Sequence, residues 1–145
     1  MEHTKQDVDA AAAGFLARRD HSRAELRAKL MKREFPADLV DDVLNDYVER
    51  GWLNDSGFAS HQAEILARKG WGPLQIQNKL TQHGVGRDDA RAATDALEVD
   101  WESAARARVE GRFRAGDEAK AYRHLVQRGF LQGVARKVAF SLDED

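Results

Sequence analysis

Cations supply most of the chemistry available to this sequence. Between Arg18 and Arg33 lie seven basic residues, Arg18, Arg19, Arg23, Arg27, Lys29, Lys32 and Arg33, against only Asp20 and Glu25. A second run, from Arg112 to Lys137, holds seven more, among them Arg123, Arg128, Arg136 and Lys137, against Asp117 and Glu118. Directly after the first run come Asp38, Asp41, Asp42, Asp46 and Glu49. A formal net charge of −2 therefore conceals strong local dipoles. Clustered cations suit phosphate or an acidic protein surface. The plain alternative is a solvated helix face whose arginines pair with the acidic segment that begins at Asp38.

Other chemistry falls away on inspection. The chain has no cysteine, which removes disulfides, thiol nucleophiles and cysteine zinc sites. Its histidines, at positions 3, 21, 61, 83 and 124, lack the spacing of metal ligands. No glycine-rich phosphate loop and no paired carboxylate in a pocket-like context is present, so the expectation is a protein that is not an enzyme and needs no cofactor. Ser22 is explained as a helix cap rather than a nucleophile: with Glu25 three residues on, it forms a capping box. Trp52, Trp71 and Trp101 could stack on bases. Trp52 and Trp71, however, each follow a glycine at a helix stop, a place from which an aromatic packs back, so core packing is expected.

The elements that hold these residues repeat. Cap and core positions recur as 22/26/30/35, 72/76/80/85 and 117/121/125/130: Ser22, Leu26, Leu30, Phe35; Gly72, Ile76, Leu80, Val85; Asp117, Ala121, Leu125, Phe130. Pro73 stands at a first helical position, where it costs no hydrogen bond, and Asn54 and Asp117 read as further caps. Leu39, Val43 and Tyr47 in the first repeat answer to Val134, Val138 and Leu142 in the third. No strand-like alternation occurs. The spacing predicts an all-α chain of three tandem three-helix, helix-turn-helix-like repeats, 5–53, 54–99 and 100–142, in an elongated, curved array. The third helix of the middle repeat, with Ala90, Ala93 and Leu97, is expected to be thinly packed. The first four residues and Asp143-Glu144-Asp145 are expected to fray. Nothing reaches the length of a membrane span, and the polar amino terminus is unlike a secretory signal, so a cytoplasmic monomer is expected.

Ala17-Arg18-Arg19-Asp20-His21-Ser22-Arg23-Ala24-Glu25-Leu26, with Lys29-Leu30, resembles the opening of the RecX family, regulators of the RecA recombinase. The likeness continues through Gly51-Trp52-Leu53-Asn54-Asp55, Phe58-Ala59, Gly70-Trp71-Gly72-Pro73, Ile76, Leu80, Gly84-Val85, Trp101 and Arg128-Gly129-Phe130. Gly57 departs from the pattern, standing where the family usually carries a basic residue. The resemblance implies three-helix repeats, binding in the groove of the RecA filament on single-stranded DNA, and restraint of recombinase and coprotease activity. It turns the basic residues named above into expected contacts with that filament, with weak non-specific DNA contact besides. The rival reading is a helix-turn-helix DNA regulator that acts without RecA. The acidic residues from Asp38 to Asp46 oppose it, because phosphate would repel them.

Overall fold

The computed structural model describes residues 3–142. Among them are nine helices: α1 (Lys5–Arg18), α2 (Arg23–Lys32), α3 (Ala37–Glu49), α4 (Asp55–Arg68), α5 (Pro73–Gln82), α6 (Arg87–Asp95), α7 (Trp101–Val109), α8 (Glu118–Gln127) and α9 (Gln132–Ala139). They form three successive trios, and every substantial helix packing lies within a trio. Met1, Glu2 and 143–145, where fraying was expected, lie outside the described residues. His3 and Thr4 are held: Thr4 caps α1 in a reciprocal capping box with Asp7, and His3 stands edge-on to Phe35.

Each trio has its own core. The first gathers Val8, Ala12, Leu26, Leu30, Phe35, Val40, Val43, Leu44, Tyr47 and Leu53. The periodicity of α3 accounts for this well, since Val40, Val43, Leu44 and Tyr47 recur every three or four residues on one face. The second core is built of Phe58, Ala59, Ala63, Ile76, Leu80, Val85, Ala90 and Ala93. Here α6 is not loosely attached. Its buried residues, Ala90, Ala93 and Thr94, are small, yet it packs against both α4 and α5. The Thr94 hydroxyl is also satisfied, donating to the Ala90 carbonyl at 2.8 Å. The third core comprises Ala105, Val109, Ala121, Leu125, Phe130, Ala135, Val138 and Ala139, and Trp101 packs against both the second and the third.

The cap expectations divide. Ser22 caps α2 as the capping box requires, accepting from the Glu25 N–H at 3.1 Å while Glu25 accepts from the Ser22 N–H at 3.1 Å. Asn54 likewise accepts from the Gly57 N–H at 3.1 Å. Asp117 does not cap α8 with its side chain. Its carboxylate turns back to accept from the Arg114 N–H at 3.1 Å, because the Asp117 backbone, at φ −99° and ψ 17°, lacks the extended conformation from which a cap reaches its own helix.

Trp52 also departs from expectation, at 57% exposed. Gly51 takes a left-handed φ of 76°, and both Trp52 and Leu53 donate to the Tyr47 carbonyl. In that geometry Leu53, not Trp52, drops into the core. Trp52 is left on the surface, edge-on to Tyr47 and under the Arg50 guanidinium. Trp71 and Trp101 are half-buried against the cores, as expected.

The trios join through their middle helices. At the first junction the Ser22 hydroxyl donates to the His83 carbonyl, the Arg23 N–H donates to Asp55 at 2.8 Å, and His83 Nδ1 meets Glu25 at 3.1 Å. At the second, the Gly72 N–H donates to the Arg128 carbonyl at 2.8 Å and the Leu74 N–H to the Gly129 carbonyl at 2.9 Å. In both, the last turn of one middle helix rests on the first turn of the preceding one.

Candidate functional site

The first basic run wraps α2, and tertiary structure sorts its members. Arg27 Nε donates to Asp41 at 2.9 Å, and Arg23 reaches Asn45 at 3.0 Å with Asp41 at 3.9 Å. The Arg27 hydrogen bond holds the Asp41 carboxyl below its ordinary value. For these two arginines the pairing with the acidic third helix is what the fold builds. Arg19 is drawn into the first junction, donating to Glu25 at 3.4 Å and to the Asp20 carbonyl at 2.8 Å. Burial raises the Glu25 pKa, but the hydrogen bonds from Arg19, His83 and the Ser22 N–H outweigh it and hold the carboxyl below its ordinary value.

Lys29 lies on the other flank. Its ammonium is 2.8 Å from His21 Nε2 and 5.2 Å from the Phe15 ring centroid. An ammonium can only donate, so His21 Nε2 accepts, and Nδ1 carries the proton it gives to the Arg19 carbonyl at 2.9 Å. The buried imidazole is thus held neutral, and burial, with the charges of Arg19 and Lys29, moves its pKa below the ordinary value.

Arg18, Lys32 and Arg33 are the exposed remainder. Their side chains meet no acidic partner and make no hydrogen bond among the described residues. Arg18 and Arg33 border a cavity of about 570 Å³ lined also by Phe15 and Phe35, and Arg33 lies over both rings.

The second run is sorted in the same way. Arg128 is committed to the junction between the second and third trios, donating to the Lys69 carbonyl at 2.9 Å while its guanidinium stacks 3.6 Å from the Trp71 ring centroid. Lys137 pairs with Glu102 at 3.2 Å. Arg123 and Arg136 are exposed and unpaired among the described residues. Sequence reasoning named Gly72, Gly84 and Gly129 but did not foresee that they, with His83, form the junctions. A glycine at one fixed place in two of the repeats was the signal that could have marked them.

Chemically, the arrangement offers open guanidinium and ammonium groups beside aromatic surface. The described residues contain no cluster of three or more histidine or carboxylate side chains able to hold a metal, and no helix long and apolar enough to cross a membrane.

Comparison with known proteins agrees with this architecture. Residues 10–46 match the model of the RecX first three-helix domain, and residues 54–93 that of the RecX second three-helix domain. A protein named regulatory protein RecX from Halorhodospira halophila is 38% identical, covering 93% of this chain and 88% of its own. One of the same name from Ectopseudomonas mendocina is 32% identical, covering 94% and 95%. The crystal structure of RecX from Lactobacillus salivarius superposes with a TM-score of 0.84 at 19% identity, covering 96% of each chain, which speaks for the fold. With two matched domains in order and relatives alike over most of their length, the chain belongs to the RecX family.

Proposed function

We propose that this protein restrains RecA by lying along the groove of its filament on single-stranded DNA, touching protein and phosphate at once. The relatives' name, regulatory protein RecX, supports RecA as the partner. The observation that carries the mode of action is the separation of cations into two sets. Arg23, Arg27 and Lys137 are engaged by acids of their own trio, whereas Arg18, Lys32, Arg33, Arg123 and Arg136 stand exposed without one among the described residues. These five lie on the first and third trios, and Arg68, Lys69, Arg87 and Arg91 of the second are likewise exposed without an acidic partner among the described residues, so one molecule can bridge neighbouring protomers. Modest contacts then gain through effective concentration. Weak DNA contact follows from the same groups, and a partner of this kind places the protein in the cytoplasm.

The test is RecA-driven ATP hydrolysis on single-stranded DNA, titrated with wild type, R18E/K32E and R123E/R136E. Each charge-reversed pair is expected to raise the concentration needed for half-inhibition roughly tenfold, about 1.4 kcal/mol, with helical circular dichroism intact. Binding of naked DNA that is as strong as binding of the filament, with no effect on hydrolysis, would favour the helix-turn-helix reading instead.

A further inference from the structure

The two junctions share one construction, and the outward-facing ends of α2 and α8 each depart from it. Past each middle helix comes a residue of left-handed backbone: Glu34 at φ 63° after α2, Gly84 at 88° after α5 and Gly129 at 95° after α8. Gly84 and Gly129 sit against the preceding trio, where a side chain does not fit. A Cβ at Gly84 would lie 2.5 Å from the Ala24 Cβ, and one at Gly129 only 2.4 Å from the Gln75 backbone nitrogen. Glu34, which precedes no such contact, carries the side chain that both junctions forbid. It is the one non-glycine with positive φ among the described residues.

The opposite end is finished in a complementary way. The first turns of α2 and α5 receive carbonyls of the next trio, at Ser22 and at Gly72 and Leu74. The matching turn of α8 is instead occupied by its own acids. Asp117 accepts from the Arg114 N–H, and Glu118 accepts from the Gly116 N–H at 3.0 Å. A second copy offering its α2 end to this turn would bring Glu34 against Asp117 and Glu118, a like-charge encounter on top of a steric one.

We propose that Glu34 at one end and Asp117 with Glu118 at the other terminate the array, preventing copies of this chain from continuing head to tail. A heterologous interface that can repeat leads to open filaments unless it is closed off, and repeat arrays need atypical terminal units. The block matters here because the two ends are otherwise close to compatible. Arg33-Glu34-Phe35 differs from the junction segment Arg128-Gly129-Phe130 at Glu34 alone.

The experiment pairs two half-open variants. E34G makes the α2 end match the α8 end, and D117G/E118P/A119L/K120Q gives α8 the first turn of α5. At roughly 0.5 mM chain, chosen because an untethered junction of few contacts is weak, wild type and each variant alone should sediment as monomers. An equimolar mixture of the two should shift towards a doubled mass, and the combined variant should lengthen with concentration. Monomers throughout, with wild-type helicity, would overturn the proposal, as would oligomers of wild type. Should the α8 replacement fail to fold, E34G/D117N/E118Q serves the same purpose, since the amides keep the acceptors for Arg114 and Gly116 and remove only charge. A folded E34G/D117N/E118Q that remains monomeric at that concentration would also overturn it.

Discussion

Ser22 shows how one side chain can serve two levels of structure. Its oxygen accepts from the Glu25 N–H within α2 and its proton goes to the His83 carbonyl of the next trio, in a site with no solvent exposure. Replacement by alanine removes both bonds and should cost about 1–3 kcal/mol, the range for a lost cap plus an unpaired buried carbonyl. Aspartate, an excellent cap elsewhere, cannot donate and would set a carboxylate against that carbonyl. Thermal melts are expected to place S22D at or below S22A; a neutral S22D would show that the hydroxyl's donated bond is dispensable. His21 and His124 make a second prediction at this scale. Burial, with Arg19 and Lys29 beside His21 and with Arg108, Arg128 and Arg112 beside His124, lowers both pKa values from 6.5. Below that value the unfolded chain takes up protons that the native state resists, so stability is full above it and falls as the pH drops. Unfolding in urea between roughly pH 8 and 5.5 should show that fall, and H21Q/H124Q should flatten it. An equal slope in the double variant would mean that other groups set the pH dependence.

The helices are held by few large residues, so single truncations tell at this scale. Leu30, Leu80 and Leu125 occupy equivalent places in α2, α5 and α8, and all three are fully buried. Replacement of each by alanine should cost about 2–5 kcal/mol. The middle trio is the most sensitive, because α6 presents Ala90, Ala93 and Thr94 and has no long side chain to relax into the vacancy. L80A is therefore expected to melt below L30A and L125A. Equal melting of all three would show that neighbouring trios, through their hydrogen-bonded junctions, share the loss.

Across the whole molecule, the contrast between paired and open cations separates folding from binding. R23E/R27E would set new carboxylates against Asp41 and lose the bonds to Asp41 and Asn45, so it is expected to lower the melting temperature. R18E/K32E alters groups with no acidic partner among the described residues, and surface changes of that kind usually stay within about 0.5 kcal/mol. If the open cations face phosphate or acidic protein, inhibition of RecA by wild type should weaken as salt rises, since screening acts over about 10 Å at 0.1 M. R18E/K32E should show a shallower salt dependence, measured as half-inhibition at two ionic strengths. An unchanged dependence would place those two residues outside the contact.

Much of this architecture was legible along the chain because it rests on local rules. Helical spacing marked Leu26, Leu30, Ile76, Leu80, Ala121 and Leu125 as core, and the Ser22–Glu25 capping box closed as its spacing requires. Repetition at fixed offsets turned those local signals into three trios. What the sequence could not decide were choices between partners close in energy, some a few residues apart and some distant in the chain. Asp117 accepts from the Arg114 N–H instead of its own helix, and Leu53 rather than Trp52 is the residue buried after Tyr47. The fate of each cation was settled in the same way: Arg27 lies within 3 Å of Asp41 only because α3 folds back along α2, and Arg128 stacks on Trp71 only because the third trio docks there. Periodicity states which face of a helix is apolar. Which charge meets which depends on how the helices are placed against one another, and only the packed chain specifies that.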